Sequence, residues 1–461
     1  MSERDRALWS LSAHELGLAY ANGLSPVNAV QSNLSRIREI NPRLNAIITL
    51  DETGALRAAE ASARRWKEAR PIGPLDGVSF TVKDNIFVAG LPATWGSRLY
   101  CDFVPEDDEA PVRRLREAGA IILGKTNVPE FTLHGFTDNA LFGTTGNPWD
   151  PKLTPGGSSG GAVASVASGM AAFALGTDGG GSVRRPAAHT GLVGFKPSRD
   201  MVPRGRGFPA ILHNFEVIGP IARCVDDVML VMAAMSGEAW TRSTNLAAPE
   251  RPRIAYAPSF GGAPVDPVIR RAVDETLARA MSLGLDVETI APFDLADPLS
   301  AIWPVISQTG VAWLLDQHEG GDRMVSPAIA EMAAAGKPLT ARDYLAALDA
   351  IAEMARAFER LFARFDFLMT PATAAMPWPA ADSHPATIGG VAVGPRGHAV
   401  FTPLANALGF PALSVPCRIE DDTLPIGLQI MAARDRDWQL LTFARVHENR
   451  LFVHKWPKWP T

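Results

Sequence analysis

Hydrophobic and polar positions change their period repeatedly along the chain, which predicts an alternation of helices and strands. Two helices open the sequence: Ser12 and Glu15 have the spacing of a capping box, and Ser25 stands as a cap before a proline. A charged helix over 51–69 and a helix beginning near Pro111 follow. Apolar runs predict strands at residues 46–50, 78–84 and 120–123.

The uncharged stretch from Leu153 to Thr177 is long enough to span a membrane. Its first third is Pro, Gly and Ser, and the rest has few large aliphatic residues, so its hydropathy is too low for a lipid-facing helix. We therefore predict a buried helix here. Its core-facing side chains are Ala162, Val163, Val166, Met170 and Phe173, and the small residues Gly161, Ser165 and Gly169 allow close backbone approach.

The composition, with 47% hydrophobic and 20% charged residues in 461, is that of a soluble globular protein. The net charge of -5 counts against nucleic acid as the main partner, because phosphate binding needs clustered positive charge. The charged N-terminus lacks the apolar stretch of a signal peptide, so a cytoplasmic location is expected. The three cysteines, Cys101, Cys224 and Cys417, are widely spaced, so we expect them to be core thiols that form neither a disulfide nor a metal site. We expect no cofactor.

One motif points to nucleotide binding. In GAIILGKT, the residues Gly119, Gly124, Lys125 and Thr126 match the P-loop pattern. In a P-loop, however, a strand precedes the first glycine, whereas here a predicted helix does, and Gly119 has the position of its C-terminal cap. The apolar residues between the two glycines form the predicted strand. A nucleotide-binding protein is therefore kept only as the last alternative.

Two glycine-flanked serine segments carry the candidate chemistry: GGSSGG at 156–161 and GTDGGGSVRRP at 176–186. The first also fits G-x-S-x-G, the nucleophile elbow of α/β-hydrolases, around Ser158 or Ser159. An elbow requires a buried strand directly before it. The preceding GNPWDPKLTP contains three prolines and cannot form that strand, so the elbow interpretation is set aside.

The segment DGGGS predicts an oxyanion site. The N–H groups of Gly179, Gly180, Gly181 and Ser182 are expected to point into one concavity beside the Ser182 hydroxyl. Acyl transfer needs this combination of donors for the developing oxyanion and an attacking oxygen next to them. Ser182 is therefore the candidate nucleophile.

A serine nucleophile needs a base. His134 and His189 lie nearest in sequence, but neither stands in a suitable motif. Lys83 ends the apolar strand GVSFTVKDN, where a dry pocket would lower its pKa. Taken alone, however, Lys83 is more typical of a surface charge at a strand end.

Five segments together, in order and spacing, resemble the amidase signature family: GVSFTVKDN, GTTGNPWDP, TPGGSSGG, GTDGGGSVRRPAAHTGLVGFKPS and LPIGLQIM. The resemblance implies an α/β fold in a single large domain, with a mixed, twisted sheet of many strands covered by helices on both faces. It also implies four regions within 1–461. They are an N-terminal helical region, a catalytic core, a variable substrate side and a C-terminal return to the sheet, at about 1–60, 70–230, 231–400 and 401–450.

In that family a lysine and two serines, one of them in a cis peptide, form a triad, which implies Lys83, Ser158 and Ser182 here. Neutral Lys83 would draw a proton through the Ser158 hydroxyl from Ser182, which attacks the amide carbonyl. The proton would return to the leaving nitrogen, and water would then hydrolyse the acyl-enzyme. The N–H groups of 179–182 would hold the oxyanion.

Further residues have supporting roles. Ser159 either donates to the region of Ser182 or Ser158 or caps a helix. Asp178, acting through Arg184, would hold the glycine turn in place. Arg185 either binds a substrate carboxylate or forms a surface ion pair. The chain departs from the family pattern at Gly179, where a larger residue is usual.

A stand-alone amidase is the favoured function. The alternative is the glutamine-hydrolysing subunit of a tRNA-dependent amidotransferase, against which the altered stretch HNFEVIGP at 213–220 counts. The expected partner is a small-molecule amide, with neither nucleic acid nor membrane, and a homodimer is left open. We expect the pocket to come from 300–345 and 372–400, where Trp303, Trp313 and Trp378 are either substrate surface or core.

Overall fold

The computed structural model describes residues 7–237, 251–417 and 424–457. The strands in these ranges are β1 Ile47–Leu50, β2 Ser79–Lys83, β3 Ile121–Thr126, β4 Phe173–Asp178, β5 Val193–Lys196, β6 Val217–Ala222, β7 Arg253–Tyr256, β8 Asp286–Thr289, β9 Phe367–Pro371, β10 Thr387–Ile388, β11 Val391–Ala392, β12 Ala412–Pro416 and β13 Gly427–Ala432. The α-helices are α1 Ala13–Ala21, α2 Pro26–Leu44, α3 Glu52–Lys67, α4 Ala110–Glu117, α5 Gly160–Ala167, α6 Arg184–Thr190, α7 Val225–Ser236, α8 Pro267–Ser282, α9 Leu299–Asp316, α10 Pro327–Gly336, α11 Ala341–Arg364, α12 Pro403–Leu408 and α13 Asp437–Leu451. Short 3-10 helices lie at Leu8–Ser10, Arg98–Tyr100, Glu130–Thr132, Gly321–Arg323 and Gly397–Ala399.

Eleven of these strands form one mixed sheet, in the order β1-β3-β2-β4-β6-β5-β12-β13-β9-β7-β8. Strand β2 runs parallel to both β3 and β4, whereas β4 and β6 are antiparallel. The hairpin of β10 and β11 stands apart from the sheet. The α/β class and the mixed sheet that the resemblance implied are confirmed.

The central strands are buried along their whole length, as strands covered on both faces must be. Phe80 and Val82 of β2 belong to the same core as residues of α1 and α7. On the other face, the Thr81 hydroxyl is 2.8 Å from that of Ser165 in α5. Helices therefore cover both faces of the sheet.

The predicted helix starts are confirmed at the atomic level. Ser12 and Glu15 form a capping box at the start of α1. The Ser25 hydroxyl accepts a hydrogen bond from the N–H of Val27 at the start of α2. The predicted strands at 46–50 and 78–84 correspond to β1 and β2.

The predicted buried helix is much shorter than expected. It ends at Ala167, because the following Gly169 has a φ of 80°, in the left-handed region that terminates helices. Met170 lies in the connecting loop and Phe173 begins β4, so assigning both to the helix was wrong. No described helix is both long and apolar enough to cross a membrane.

Most of GAIILGKT forms strand β3, Ile121–Thr126. The predicted strand at 120–123 therefore ended too early. Gly119 follows the end of α4, and β3 then includes Lys125. The Lys125 ammonium donates to the carbonyl oxygens of Asp84, Ile86 and Pro92 at 2.9, 2.7 and 3.2 Å. This lysine stabilises the loop after β2, so the segment does not have the geometry of a phosphate-binding loop.

The cysteines differ in burial. Cys417 is buried and Cys224 is half-buried, but Cys101 is exposed, so the expectation of core thiols was wrong for Cys101. This cysteine directly follows the 3-10 helix Arg98–Tyr100 at the surface. Within the described ranges, no cluster of His, Cys, Asp and Glu side chains has the arrangement of a metal site.

Candidate active site

The parallel strands β2 and β4 bring Lys83 and Thr177 together at their carboxyl ends. The Lys83 ammonium donates to the carbonyl and hydroxyl oxygens of Thr177 at 3.2 and 2.9 Å. It also donates to the Ser158 hydroxyl at 2.8 Å. The lysine side chain is fully buried, so the expectation of a dry pocket at the end of this strand is confirmed.

Burial lowers the pKa of Lys83 to about 7, because the ammonium loses its hydration. The carboxylates of Glu216 and Asp178 oppose this shift, and the guanidinium groups of Arg204 and Arg185 add to it. Near neutral pH a large fraction of Lys83 is therefore a free amine, which is able to accept a proton.

The GGSSGG segment carries Ser158 to this lysine. The peptide bond between Gly157 and Ser158 is cis, in agreement with the resemblance. The next residue, Ser159, occupies the N-cap position of α5 but makes no side-chain capping bond. Its hydroxyl donates to the Thr177 carbonyl at 3.3 Å, and its N–H donates to the Ser182 carbonyl at 3.2 Å. Ser159 thus connects the two serine segments through its backbone.

Ser182 lies between the glycine turn and α6. It is buried, with 6% of its surface exposed. Its hydroxyl makes no hydrogen bond to any described residue, and none joins it to the Ser158 hydroxyl. The Lys83–Ser158 hydrogen bond is therefore formed, and the backbone of Ser182 is held next to Ser159, the neighbour of Ser158.

Asp178 shapes the glycine turn. One of its carboxylate oxygens accepts a hydrogen bond from the N–H of Gly181 at 2.7 Å, so that N–H is not free for an oxyanion. The N–H groups of Gly179, Gly180 and Ser182 donate to no acceptor in the part of the chain that the structure describes. Three of the four predicted donors remain available.

Arg184 pairs with Asp178 through two hydrogen bonds, of 3.0 and 2.8 Å, and both side chains are fully buried. Although burial alone would raise it, the charge and hydrogen bonds of Arg184 hold the pKa of Asp178 below its usual range. The remaining guanidinium hydrogens donate to the Gln429 and Asn406 side chains at 2.5 and 2.6 Å and to the Thr402 carbonyl at 2.9 Å. Sequence reasoning missed these partners, which come from a distant part of the chain.

Removal of the Asp178 carboxylate is expected to destabilise the fold. Asp178→Ala leaves Arg184 buried without its counter-charge, which costs about 3–5 kcal/mol in comparable pairs. Urea unfolding of the variant measures this loss. The matched control is Glu288→Ala, which breaks an exposed pair with Arg364 of 3.4 Å and should cost less than about 1 kcal/mol. Equal stability losses in the two variants would contradict the assignment of Asp178.

Two bulky side chains pack on the glycine turn. A Cβ on Gly180 would lie 2.5 Å from the ring of Trp303, and one on Gly179 would lie 2.6 Å from Leu212. Leu212 thus fills the space that the larger residue of the family pattern would otherwise take. A cavity of about 510 Å³ is lined by Trp303, and one of about 210 Å³ by Leu212. We call them the Trp303 cavity and the Leu212 cavity.

The Trp303 cavity is formed largely by segments 296–304 and 396–403, in partial agreement with the predicted pocket. The Leu212 cavity comes from elsewhere, because its aromatic wall is formed by Trp95, Phe131 and Phe208. Of the other two tryptophans, Trp313 is exposed, whereas Trp378 is buried, with its ring centroid 4.8 Å from that of His398.

Arg185 lies inside the protein. Its residue is 5% exposed, and one terminal nitrogen donates to the Gly180 carbonyl at 2.7 Å and to the Thr402 hydroxyl at 3.2 Å. Burial lowers its pKa to about 10. Since the guanidinium is buried, the surface ion pair considered from the sequence is wrong.

Comparison with known proteins confirms the resemblance that the sequence motifs indicated. The model of the family named Amidase matches residues 28–441. The chain is 33% identical to a glutamyl-tRNA(Gln) amidotransferase subunit of Symbiobacterium thermophilum, over 95% of this chain and 96% of the relative. It is also 33% identical to an acylamidase of Rhodococcus erythropolis, over 94% of each chain.

Solved structures give the same result. A bacterial aryl acylamidase of the amidase signature family superposes with a TM-score of 0.86 at 28% identity, over 95% of this chain and 96% of that chain. The family match covers most of the chain and includes Lys83, both serine segments and the glycine turn. The chain therefore belongs to the amidase signature family, whose enzymes hydrolyse amide C–N bonds.

Proposed function

We propose that this chain hydrolyses a carboxylic amide through an acyl-enzyme on Ser182, with Lys83 as the base and Ser158 as the proton relay. The observation that carries the proposal is the 2.8 Å hydrogen bond from the buried Lys83 amine to the Ser158 hydroxyl. A lysine with a pKa of about 7 is suited to general base catalysis near neutral pH.

The reaction begins with proton transfer. Neutral Lys83 takes the hydroxyl proton of Ser158, which takes that of Ser182, while the Ser182 oxygen bonds to the amide carbon. This step needs the two serine hydroxyls within hydrogen-bonding distance, and catalytic hydrogen bonds often tighten only when substrate binds. The proton then returns along the same path to the nitrogen, the C–N bond breaks, and the amine leaves.

The N–H groups around the nucleophile stabilise the oxyanion. We assign this role to Gly179, Gly180 and Ser182, whose N–H groups have no acceptor among the described residues. Gly181 is left out because its N–H donates to Asp178.

Water then attacks the acyl-enzyme by the same proton path, releasing the acid and freeing Ser182. Esters fit the same site, because these donors do not contact the leaving group.

A second candidate is the glutamine-hydrolysing subunit of an amidotransferase. The chain is as similar to the amidotransferase subunit of Symbiobacterium thermophilum as it is to the acylamidase. Such a protein would work within a complex, whereas the favoured function needs this chain alone. A homodimer and a cytoplasmic location both stay predictions.

Ammonia release distinguishes the two candidates. We expect the purified chain alone to release ammonia from simple aliphatic or aromatic amides, and Ser182→Ala to release none. Glutamine is included as a substrate in the same assay. Hydrolysis of glutamine only, and only after partner subunits are added, would instead favour the amidotransferase function.

A further inference from the structure

Three basic side chains that form no ion pair with a described residue lie near one another: Arg185, which contacts the glycine turn, Arg396 and His398. They contrast with the neighbouring Arg184, which has its own carboxylate in Asp178. Within residues 7–237, 251–417 and 424–457, neither Arg185 nor Arg396 forms an ion pair. The charge of Asp178 also attracts Arg185, but this carboxylate is paired with Arg184, so Arg185 and Arg396 have no carboxylate of their own among the described residues.

The Arg185 guanidinium is buried and does not use all of its hydrogen-bond donors. The hydrogen bonds to Gly180 and Thr402 come from one terminal nitrogen. Its Nε is buried and has no acceptor in the described chain. A buried guanidinium N–H without an acceptor is costly, and an anion that binds there removes this cost.

Arg396 lies against Trp303, the side chain that packs on Gly180. Its guanidinium carbon lies 4.1 Å from the centroid of the Trp303 ring, and that ring packs against Gly180. Arg396 lines the Trp303 cavity and is exposed there. The one carboxylate in that lining, Asp297, forms no ion pair with it.

His398 supplies a further polar group. Its residue is 3% exposed, and neither ring nitrogen has a hydrogen-bond partner among the described residues. Burial, followed by the charges of Arg185 and Arg396, lowers the pKa of His398 well below its usual value. The ring is therefore neutral and retains one N–H that can donate to an anion.

We propose that Arg185 and Arg396, with His398 beside them, bind a carboxylate of the substrate, so that the preferred amides carry a carboxylate in addition to the amide group. Arginine is the side chain whose planar fork matches a carboxylate in two hydrogen bonds. The proposal rests on the proposed function and adds the class of substrate. Arg185 and Arg396 are then specificity-determining residues.

Matched pairs of amides test this proposal. In the acyl arm, succinamate is compared with 4-methylpentanamide, in which an isopropyl group replaces the carboxylate. In the leaving-group arm, N-benzoylglycine is compared with N-isobutylbenzamide. Each arm also includes homologues with one and two more carbons. We expect kcat/KM to favour the carboxylate member at least tenfold in one arm, which identifies the side of the scissile bond that carries the charge.

Two variants test the residues separately. Arg185→Met and Arg396→Met should each reduce the carboxylate preference, measured as the ratio of kcat/KM between the two members of a pair, to less than threefold. Arg396 is exposed, so its variant is informative even if the buried Arg185→Met fails to fold. Arg271→Met, at an exposed position of α8, is the control and should keep the preference. No preference in either arm, or equal losses for both members of a pair, overturns the proposal.

Binding without turnover separates this proposal from the proposed function. If the wild type hydrolyses none of these amides, the hydrolytic function has failed, and calorimetry on Ser182→Ala then decides the carboxylate site. Binding of succinamate or N-benzoylglycine, lost on Arg396→Met and kept on Arg271→Met, supports the site. Absence of binding by every carboxylate member, or equal binding of the neutral members, overturns it.

Discussion

Replacing Ser182 by alanine is expected to lower kcat/KM for amide hydrolysis by about 10⁴-fold or more, since the variant has no oxygen to form the acyl-enzyme. The fold should persist, because the Ser182 hydroxyl makes no hydrogen bond to any described residue and its loss leaves no donor unpaired. The measurement is ammonia release under steady-state conditions, with circular dichroism and urea unfolding as checks on the fold.

Ser282→Ala is the matched control for this variant. Ser282 is exposed at the end of α8, and its hydroxyl donates to a backbone carbonyl of the same helix at 2.7 Å. This substitution should leave kcat/KM within a factor of two. If Ser182→Ala retained more than a tenth of the wild-type activity, Ser182 would not be the nucleophile.

Lys83→Met should have the second largest effect, a loss in kcat of about 10³-fold, because methionine fills a similar volume without supplying a base. The pH profile gives the more specific readout. Wild-type kcat/KM should fall about tenfold per pH unit below the Lys83 pKa of about 7, as the amine becomes protonated. The residual activity of Lys83→Met should lack this acid limb. An unchanged limb in the variant would assign the titration to another group.

The same pKa shift predicts how stability depends on pH. The pKa of Lys83 falls from 10.5 to about 7 on folding, so between these values the unfolded chain binds more protons than the folded one. The free-energy cost of burying the Lys83 ammonium is therefore absent above pH 10.5 and reaches its full value below pH 7. The stability of the wild type relative to Lys83→Met should rise with pH across this window, which urea unfolding of both proteins measures. A difference that stays constant would contradict the shift.

The burial of Lys83 and the contact of Asp178 with the glycine turn were predicted from the sequence, because neighbouring parts of the chain determine both. Lys83 stands at the end of an apolar strand, and the parallel pairing of β2 with β4 brings it to Thr177. Asp178 holds the turn formed by the residues that directly follow it. The end of α5 was misjudged, because a long run of small apolar residues is compatible with both a helix and a buried strand.

The remaining features depend on contacts between distant segments. Asn406 and Gln429 complete the surroundings of Arg184 from the C-terminal part of the chain. Arg396 and Trp303 come from two separate segments and stack on each other beside Gly180, which Trp303 contacts, and no local pattern relates them. The Gly181 N–H is unavailable to an oxyanion because the rotamer of Asp178 brings its carboxylate into hydrogen-bonding distance. These features follow from tertiary packing, which sequence patterns do not specify.

Labelling with a fluorophosphonate tests the central claim most directly, because a nucleophilic serine hydroxyl displaces its fluoride and retains the phosphonyl group. Peptide mass spectrometry then identifies the modified residue. The account predicts the label on Ser182, formed faster as the pH rises with a midpoint near 7, and greatly slowed in Lys83→Met. Labelling of Ser158 in place of Ser182, or a labelling rate that does not depend on Lys83, would contradict it.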